Sequence, residues 1–130
     1  MSNVPSNLKY SKDHEWVKLE GNLATVGVTA FATEQLGDIV YVELPKAGAK
    51  VKAGATLGVV ESTKAVSDVF CPVSGTVTEV NAPLADAPET LNQDPYEKGW
   101  MIKIELADAK EIDGLMDAAR YEEHIKNAGH

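Results

Sequence analysis

The sequence predicts a small, mainly β fold with antiparallel strands, and three observations predict it. Seven short runs rich in Val, Ile, Leu and Thr lie between Trp16 and Leu106. The gaps between them are too tight for the crossover helices that parallel strands require. Several runs alternate apolar with polar residues, which turns one face inward and leaves the other in water. Strands of this kind close into a sandwich or barrel. A faint internal echo sets Val51-Lys52-Ala53-Gly54 and Gly58-Val59-Val60-Glu61 against Val73-Ser74-Gly75 and Thr76-Val77-Thr78-Glu79. It fits two interlocked β halves related by a pseudo-twofold axis.

The predicted strands are Trp16–Leu19, Leu23–Val28, Ile39–Leu44, Thr56–Glu61, Ala65–Phe70, Gly75–Val80 and Trp100–Glu105. In the last of these, alternation places Trp100, Ile102 and Ile104 inside and Met101, Lys103 and Glu105 outside. After Val28, Thr29 is suited to cap a short helix over Ala30–Leu36, and Gly37 to end it. Residues 82–99 hold Pro83, Pro88 and Pro95 among polar residues and read as a long surface loop. Near the C-terminus, Ile112, Leu115, Met116 and Ala119 recur at the spacing of one helical face. Gly114 and Asp117 divide that region into two short helices packed on the sheet, with Asp117 capping the second. Residues 1–130 are taken as one domain, with a core over about residues 23–105 and a helical segment over about residues 109–127.

Twelve Lys plus Arg against twenty Asp plus Glu leave a net charge of −8, and eleven of the twelve cations are lysines. That balance argues against nucleic acid as a partner. Cys71 has no companion for a disulfide or a CxxC site and is expected in or near the core. No apolar run approaches the roughly 18–20 residues of a membrane span. The start, Met1-Ser2-Asn3-Val4-Pro5, has neither a signal core nor a transit-peptide character, so a cytoplasmic location and no membrane partner are expected. His14, His124 and His130 are scattered, and no metal site is expected. Ser62 and Lys64 make no convincing catalytic dyad, because on a turn they would diverge into water without oxyanion donors.

The most informative stretch runs from Gly58 to Val69. Two apolar strands flank a polar centre with no room for a long loop, so Lys64 belongs at or next to a hairpin tip. A solvated lysine titrates near ~10.4 and stays protonated, which makes it a poor nucleophile. Glu61 and Asp68 nearby favour the ammonium form further. Lys64 is therefore suited to acylation by another enzyme, one that supplies an activated acid and removes the proton. A small neighbour, Ala65, leaves such an enzyme room.

The run Glu61-Ser62-Thr63-Lys64-Ala65-Val66-Ser67-Asp68, followed by Pro72-Val73-Ser74-Gly75, resembles the lipoyl-lysine region of the glycine cleavage system H-protein family, ES-x-K-A-x-SD and then P-[VI]-S-G. Tyr10-Ser11-Lys12-Asp13-His14-Glu15-Trp16-Val17 is similar to the family's opening, Leu36–Pro45 to its middle strand, and Asn92–Trp100 to its late loop. The resemblance extends from about Leu8 to Tyr121. Biotinyl carriers usually show M-K-M at the tip and 2-oxoacid dehydrogenase lipoyl domains D-K-A, whereas this chain has Thr63-Lys64-Ala65.

The resemblance implies a lipoyl-type barrel-sandwich hybrid of two small antiparallel sheets with short helices. It also implies a carrier without catalytic activity of its own, with lipoate in amide linkage to Lys64. Implied partners are glycine decarboxylase, a pyridoxal-phosphate enzyme; aminomethyltransferase, which uses tetrahydrofolate; dihydrolipoyl dehydrogenase; and a lipoate ligase or octanoyltransferase that recognises Glu61 and Ala65. In the family the loaded arm folds back near residues matching Glu15 and Asp68; in this chain Glu15 and Asp68, aided by Asp13 and Ser67, are expected to hold the methylamine, and Asp13 stands where a hydroxyl-bearing residue is common. The chain by itself is expected to be a monomer. Two other readings stay open: a relay that donates lipoate to other lipoyl domains, and an unmodified β interaction module.

Overall fold

In a computed structural model, which describes residues 4–128, nine strands form two antiparallel sheets. The larger sheet joins β1 (Lys9–Tyr10), β2 (Glu15–Glu20), β3 (Leu23–Val28), β9 (Ile102–Leu106), β8 (Gly75–Val80) and β5 (Lys50–Val51), in that spatial order. The smaller joins β4 (Ile39–Glu43), β6 (Thr56–Ser62) and β7 (Val66–Phe70). Both sheets contribute to one buried cluster: Val17, Val26, Ile102 and Ile104 from the first, Val42, Val60 and Val69 from the second. Burying each such side chain stabilises the fold by about 1.5–3 kcal/mol. Branched residues dominate because their stiff side chains suit a pleated, half-covered surface.

The mainly β antiparallel class agrees with the alternation in the sequence, and Leu23–Val28 and Gly75–Val80 match residue for residue. The seven predicted strands become nine because β1 and β5 are two residues each, too short to carry a period. The helix α1 (Ala30–Leu36) is also as predicted. Thr29 accepts a hydrogen bond from the Ala32 N–H at 3.3 Å, and Gly37 ends the helix with a φ of 87°.

Three expectations need correction. Residues 82–99 are no plain surface loop: α2 (Pro83–Asp86) and α3 (Thr90–Gln93) fold there and bury Leu84 and Leu91 completely. Single leucines among prolines leave no periodic signal. The last strand starts at Ile102, and Met101 is buried although alternation put it in water. The join to the strand is irregular, since Asn81 Nδ2 donates to Trp100 O at 2.7 Å while Met101 N–H donates to Val26 O at 2.8 Å.

The C-terminal stripe is the third. Residues 109–114 form a 3₁₀ helix, Met116 bridges Tyr10, and α4 (Ala118–Ala128) turns Ala118, Tyr121 and Ile125 inward while Ala119 is exposed. Because 3₁₀ geometry and an extended step intervene, the four apolar residues never share one helical face. Asp117 does cap α4, accepting from Arg120 N–H at 2.9 Å. No helix among the described residues is long and apolar enough to cross a membrane.

Candidate functional site

The β6–β7 hairpin pairs Glu61 with Val66 and is closed by a hydrogen bond from Ser62 N–H to Ala65 O at 2.8 Å, which leaves Thr63 and Lys64 as the tip. Ser62 is buried and turned back into the turn. Its Oγ accepts from Ala65 N–H at 3.0 Å and from Lys64 N–H at 3.3 Å. A single hydroxyl thus takes up two turn amides, which rigidifies the tip. Far from diverging into water beside Lys64, Ser62 is the clamp beneath it.

A second brace comes from outside the hairpin. Thr63 N–H donates to Asp38 O at 3.2 Å. The segment around Asp38 is itself held by Asn92 of α3, whose Nδ2 donates to Gly37 O at 2.8 Å and whose Oδ1 accepts from Ile39 N–H at 2.9 Å. Tyr96 OH accepts from Ala30 N–H at 3.0 Å, so one stretch of chain grips both ends of α1. Over Gly37 passes the stem of Lys64: a Cβ built on Gly37 would stand 3.5 Å from Lys64 Cε and 4.0 Å from Nζ. With a φ of 87° that position already favours glycine.

Thr63, Lys64 and Ala65 are all exposed, and Lys64 is in no ion pair among the described residues. A primary amine standing in solvent on a two-residue tip, beside a methyl side chain, fits covalent attachment of a carboxylic acid through an amide; no neighbour has to move. Glu61, half-buried, lies one register step behind the tip.

The four acids and hydroxyls proposed from the sequence for a docked arm fall in two places. Asp68 is exposed on β7, and Ser67 beside it is half-buried, with Oγ donating to Asp68 O at 3.3 Å. Glu15, in contrast, is buried with 2% exposure. Its Oε1 accepts from Ser11 Oγ at 2.5 Å and its Oε2 from Phe70 N–H at 3.4 Å. Burial pushes this carboxyl up to about 8, against the lowering effect of the Ser11 hydrogen bond. Asp13 and Glu15 line one cleft of about 340 Å³ together with Ser11, Cys71, Pro72 and Met116. Asp68 is not in its wall. From Val66 to Phe70, β7 spans roughly 13 Å at a strand's rise per residue, so the tip, Asp68 and the Glu15 carboxyl follow one another along a single strand.

Next to Glu15, His14 takes a φ of 70°, and its Nδ1 lies 2.9 Å from Tyr121 OH, which is in turn 2.7 Å from Thr29 Oγ1. Burial lowers the pKa of His14, and His124 lowers it further. This cluster pins α4 to the mouth of β2. The sequence reasoning missed three residues that shape the site: Ser62, Asn92 and Ser11. Ser62 was within reach, as a serine three residues before Ala65 is suited to a side-chain-to-backbone turn. Asn92 left no local signal, because the backbone it holds lies more than 50 residues earlier.

The family described as "Glycine cleavage H-protein" matches residues 8–128. A glycine cleavage system H protein of Anaeromyxobacter sp. is 57% identical over 123 residues, covering 95% of this chain and 96% of that protein. One from Symbiobacterium thermophilum is 55% identical over 126 residues, covering 97% and 98%. Among solved structures, the crystal structure of a glycine cleavage system H protein from Mycobacterium marinum superposes with a TM-score of 0.85 at 38% identity, covering 98% of this chain and all of that one.

Proposed function

The chain belongs to the glycine cleavage H-protein family, and on that premise we propose that Lys64 is the residue that carries lipoate, in amide linkage, between the enzymes of the system. The observation that carries this reading is the exposed amine of Lys64, in no ion pair among the described residues, on a tip locked by Ser62 and Asp38. Attachment needs no chemistry from the chain beyond that amine. Its free-base form attacks the acyl carbon of an activated lipoate, the bond from that carbon to the leaving group breaks, the leaving group departs with the electron pair, and the surplus Nζ proton goes to solvent. Glu61 and Ala65, flanking the tip, are the residues that a lipoate ligase or octanoyltransferase would meet first.

When bound, lipoate supplies a disulfide that can take up an aminomethyl group and a dithiol that can be reoxidised. The partners for these steps are glycine decarboxylase, aminomethyltransferase and dihydrolipoyl dehydrogenase, with the chain acting as a non-catalytic carrier in the cytoplasm. Glu15 and Asp68, with Asp13 and Ser67 beside them, would pair a cationic amine brought back along β7. Glu15 is suited to this because a buried neutral carboxyl gives up its proton when a cation arrives and then holds it in a medium of low dielectric. The cleft lined by Asp13 and Glu15 would keep water from the amine.

Intact-mass analysis tests the attachment: with a lipoate ligase, ATP and lipoate, the wild-type protein gains one lipoyl increment and Lys64→Arg gains none. An increment retained by Lys64→Arg refutes the assignment. For docking, the double variant Glu15→Gln/Asp68→Asn is expected to lose methylamine from the loaded arm faster than wild type, and an equal rate removes those residues from the role.

A further inference from the structure

Four large apolar side chains are exposed among the described residues, and three of them sit on the small sheet that bears Lys64. These are Val40, Tyr41 and Val66, with exposures of 53%, 45% and 66%; the fourth, Leu19, is on β2. Tyr41 is opposite Glu61, and Glu61 opposite Val66. Residues directly opposite in antiparallel strands project to the same side, so these three make one row across β4, β6 and β7. Val42 and Val60, paired in the adjacent row, are buried, which fixes the Tyr41–Glu61–Val66 row as the outer face. Val40 joins it at the irregularity between Ile39 and Tyr41.

The charge on this sheet has one sign. Its strands contain Glu43, Glu61 and Asp68 and no Lys or Arg, and Asp38 stands just before β4. The turn that joins β6 to β7 adds one cation, Lys64 on the tip. Scattered exposed apolar residues are ordinary. Here they gather on one face of the sheet whose hairpin bears the amine to be acylated, among carboxylates.

We propose that the outer face of β4, β6 and β7, with Tyr41 and Val66 on either side of Glu61 and with Asp38 and Glu43 at its edges, is the surface on which the Lys64-acylating enzyme docks, through an apolar seat that sets Arg or Lys against these carboxylates. This rests on the reading that Lys64 is acylated. The occupant follows from reach. An enzyme that forms a bond to Nζ must bring its active site onto the tip and so cover the strands on either side, whereas enzymes that act at the end of a long acyl stem can stand clear of them. The carboxylates complement a basic rim and speed encounter at low salt.

The test uses apo protein, a purified lipoate ligase with ATP and lipoate, intact mass to follow acylation, and binding of the apo protein to immobilised ligase. For Tyr41→Lys/Val66→Lys, KM for the protein substrate and the Kd of the apo protein for the ligase should each rise about tenfold, with kcat within twofold of wild type. Leu19→Lys, the same change on the other sheet, should leave both unmoved. Glu43→Lys should weaken binding at low ionic strength and flatten its salt dependence. All four positions are exposed, so the variants should melt within a few degrees of wild type. If wild type is acylated and the double variant shows unchanged KM and binding, the docking surface is wrong while the reading of Lys64 stands. If the double variant loses self-association instead, a second copy of the chain occupies the face and the proposal falls. If wild type gains no acyl mass at all, the reading of Lys64 fails first and takes the surface with it.

Discussion

Two side chains, Glu15 and Ser62, hold most of what is testable residue by residue. Glu15 keeps its proton in the folded state up to about 8, while the unfolded chain loses it near 4.5. The folded state therefore binds more protons between those values, and stability falls as pH rises through that window. His14 acts with the opposite sign: its lowered pKa means that the unfolded chain binds the extra proton around 6.5 and below, so its contribution improves as pH rises to that point. The Glu15 effect is thus cleanest from pH 6.5 to 8. Over that interval the wild-type melting temperature should fall, and Glu15→Gln should fall less and melt higher at pH 8. Parallel curves would mean that Glu15 is ionised in the fold. Removing the Ser62 hydroxyl takes two hydrogen bonds from the tip amides, so Ser62→Ala should cost about 0.5–1.5 kcal/mol in denaturant unfolding. At this scale the sequence pointed to Lys64 by its flanking strands, but gave no hint that Glu15 is buried. A carboxylate between His14 and Trp16 looks like any surface acid until β7 is laid over it.

Among elements, strand β6 and helix α3 carry constraints that bear on the lysine tip. A Cβ added at Gly58 would come within 2.2 Å of Glu43 O, so Gly58→Ala must push β4 off β6. The expected loss is about 1–3 kcal/mol in denaturant unfolding. The amide of Asn92 in α3 holds the backbone at Gly37 and Ile39, which in turn takes the Thr63 N–H through Asp38 O. Asn92→Ala should therefore speed hydrogen exchange at the Ile39 and Thr63 amides by at least about tenfold, with the central amides of β3 unaffected. Exchange at Thr63 matching wild type would show that the tip does not depend on α3. The helix α1 was legible to the residue because a cap threonine and a stop glycine act locally. The helices α2 and α3 were not, since each is four residues long and exists to bury one leucine against the sheets.

For the molecule as a whole, the terminal helix closes the second apolar cluster. Tyr10 and Tyr121 stack with ring centroids 4.6 Å apart, beside Trp16. Tyr121→Ala should cost about 3–5 kcal/mol in unfolding free energy by leaving a void there, yet below its melting point the protein should still be acylated at Lys64, which stands on the other sheet. Loss of acylation in a folded Tyr121→Ala protein would show that the two ends are coupled. The amino-acid sequence alone determined the antiparallel β class, the short helix after Val28 and the hairpin lysine, because alternation, capping and turn length are set by residues a few positions apart. Only the tertiary structure decided that Asn92 steadies the lysine tip, that Glu15 is a buried acid facing β7, and that Val40, Tyr41 and Val66 share one face. Those relations join residues distant along the chain, and their energies arise from burial and close packing that do not exist until both sheets have come together.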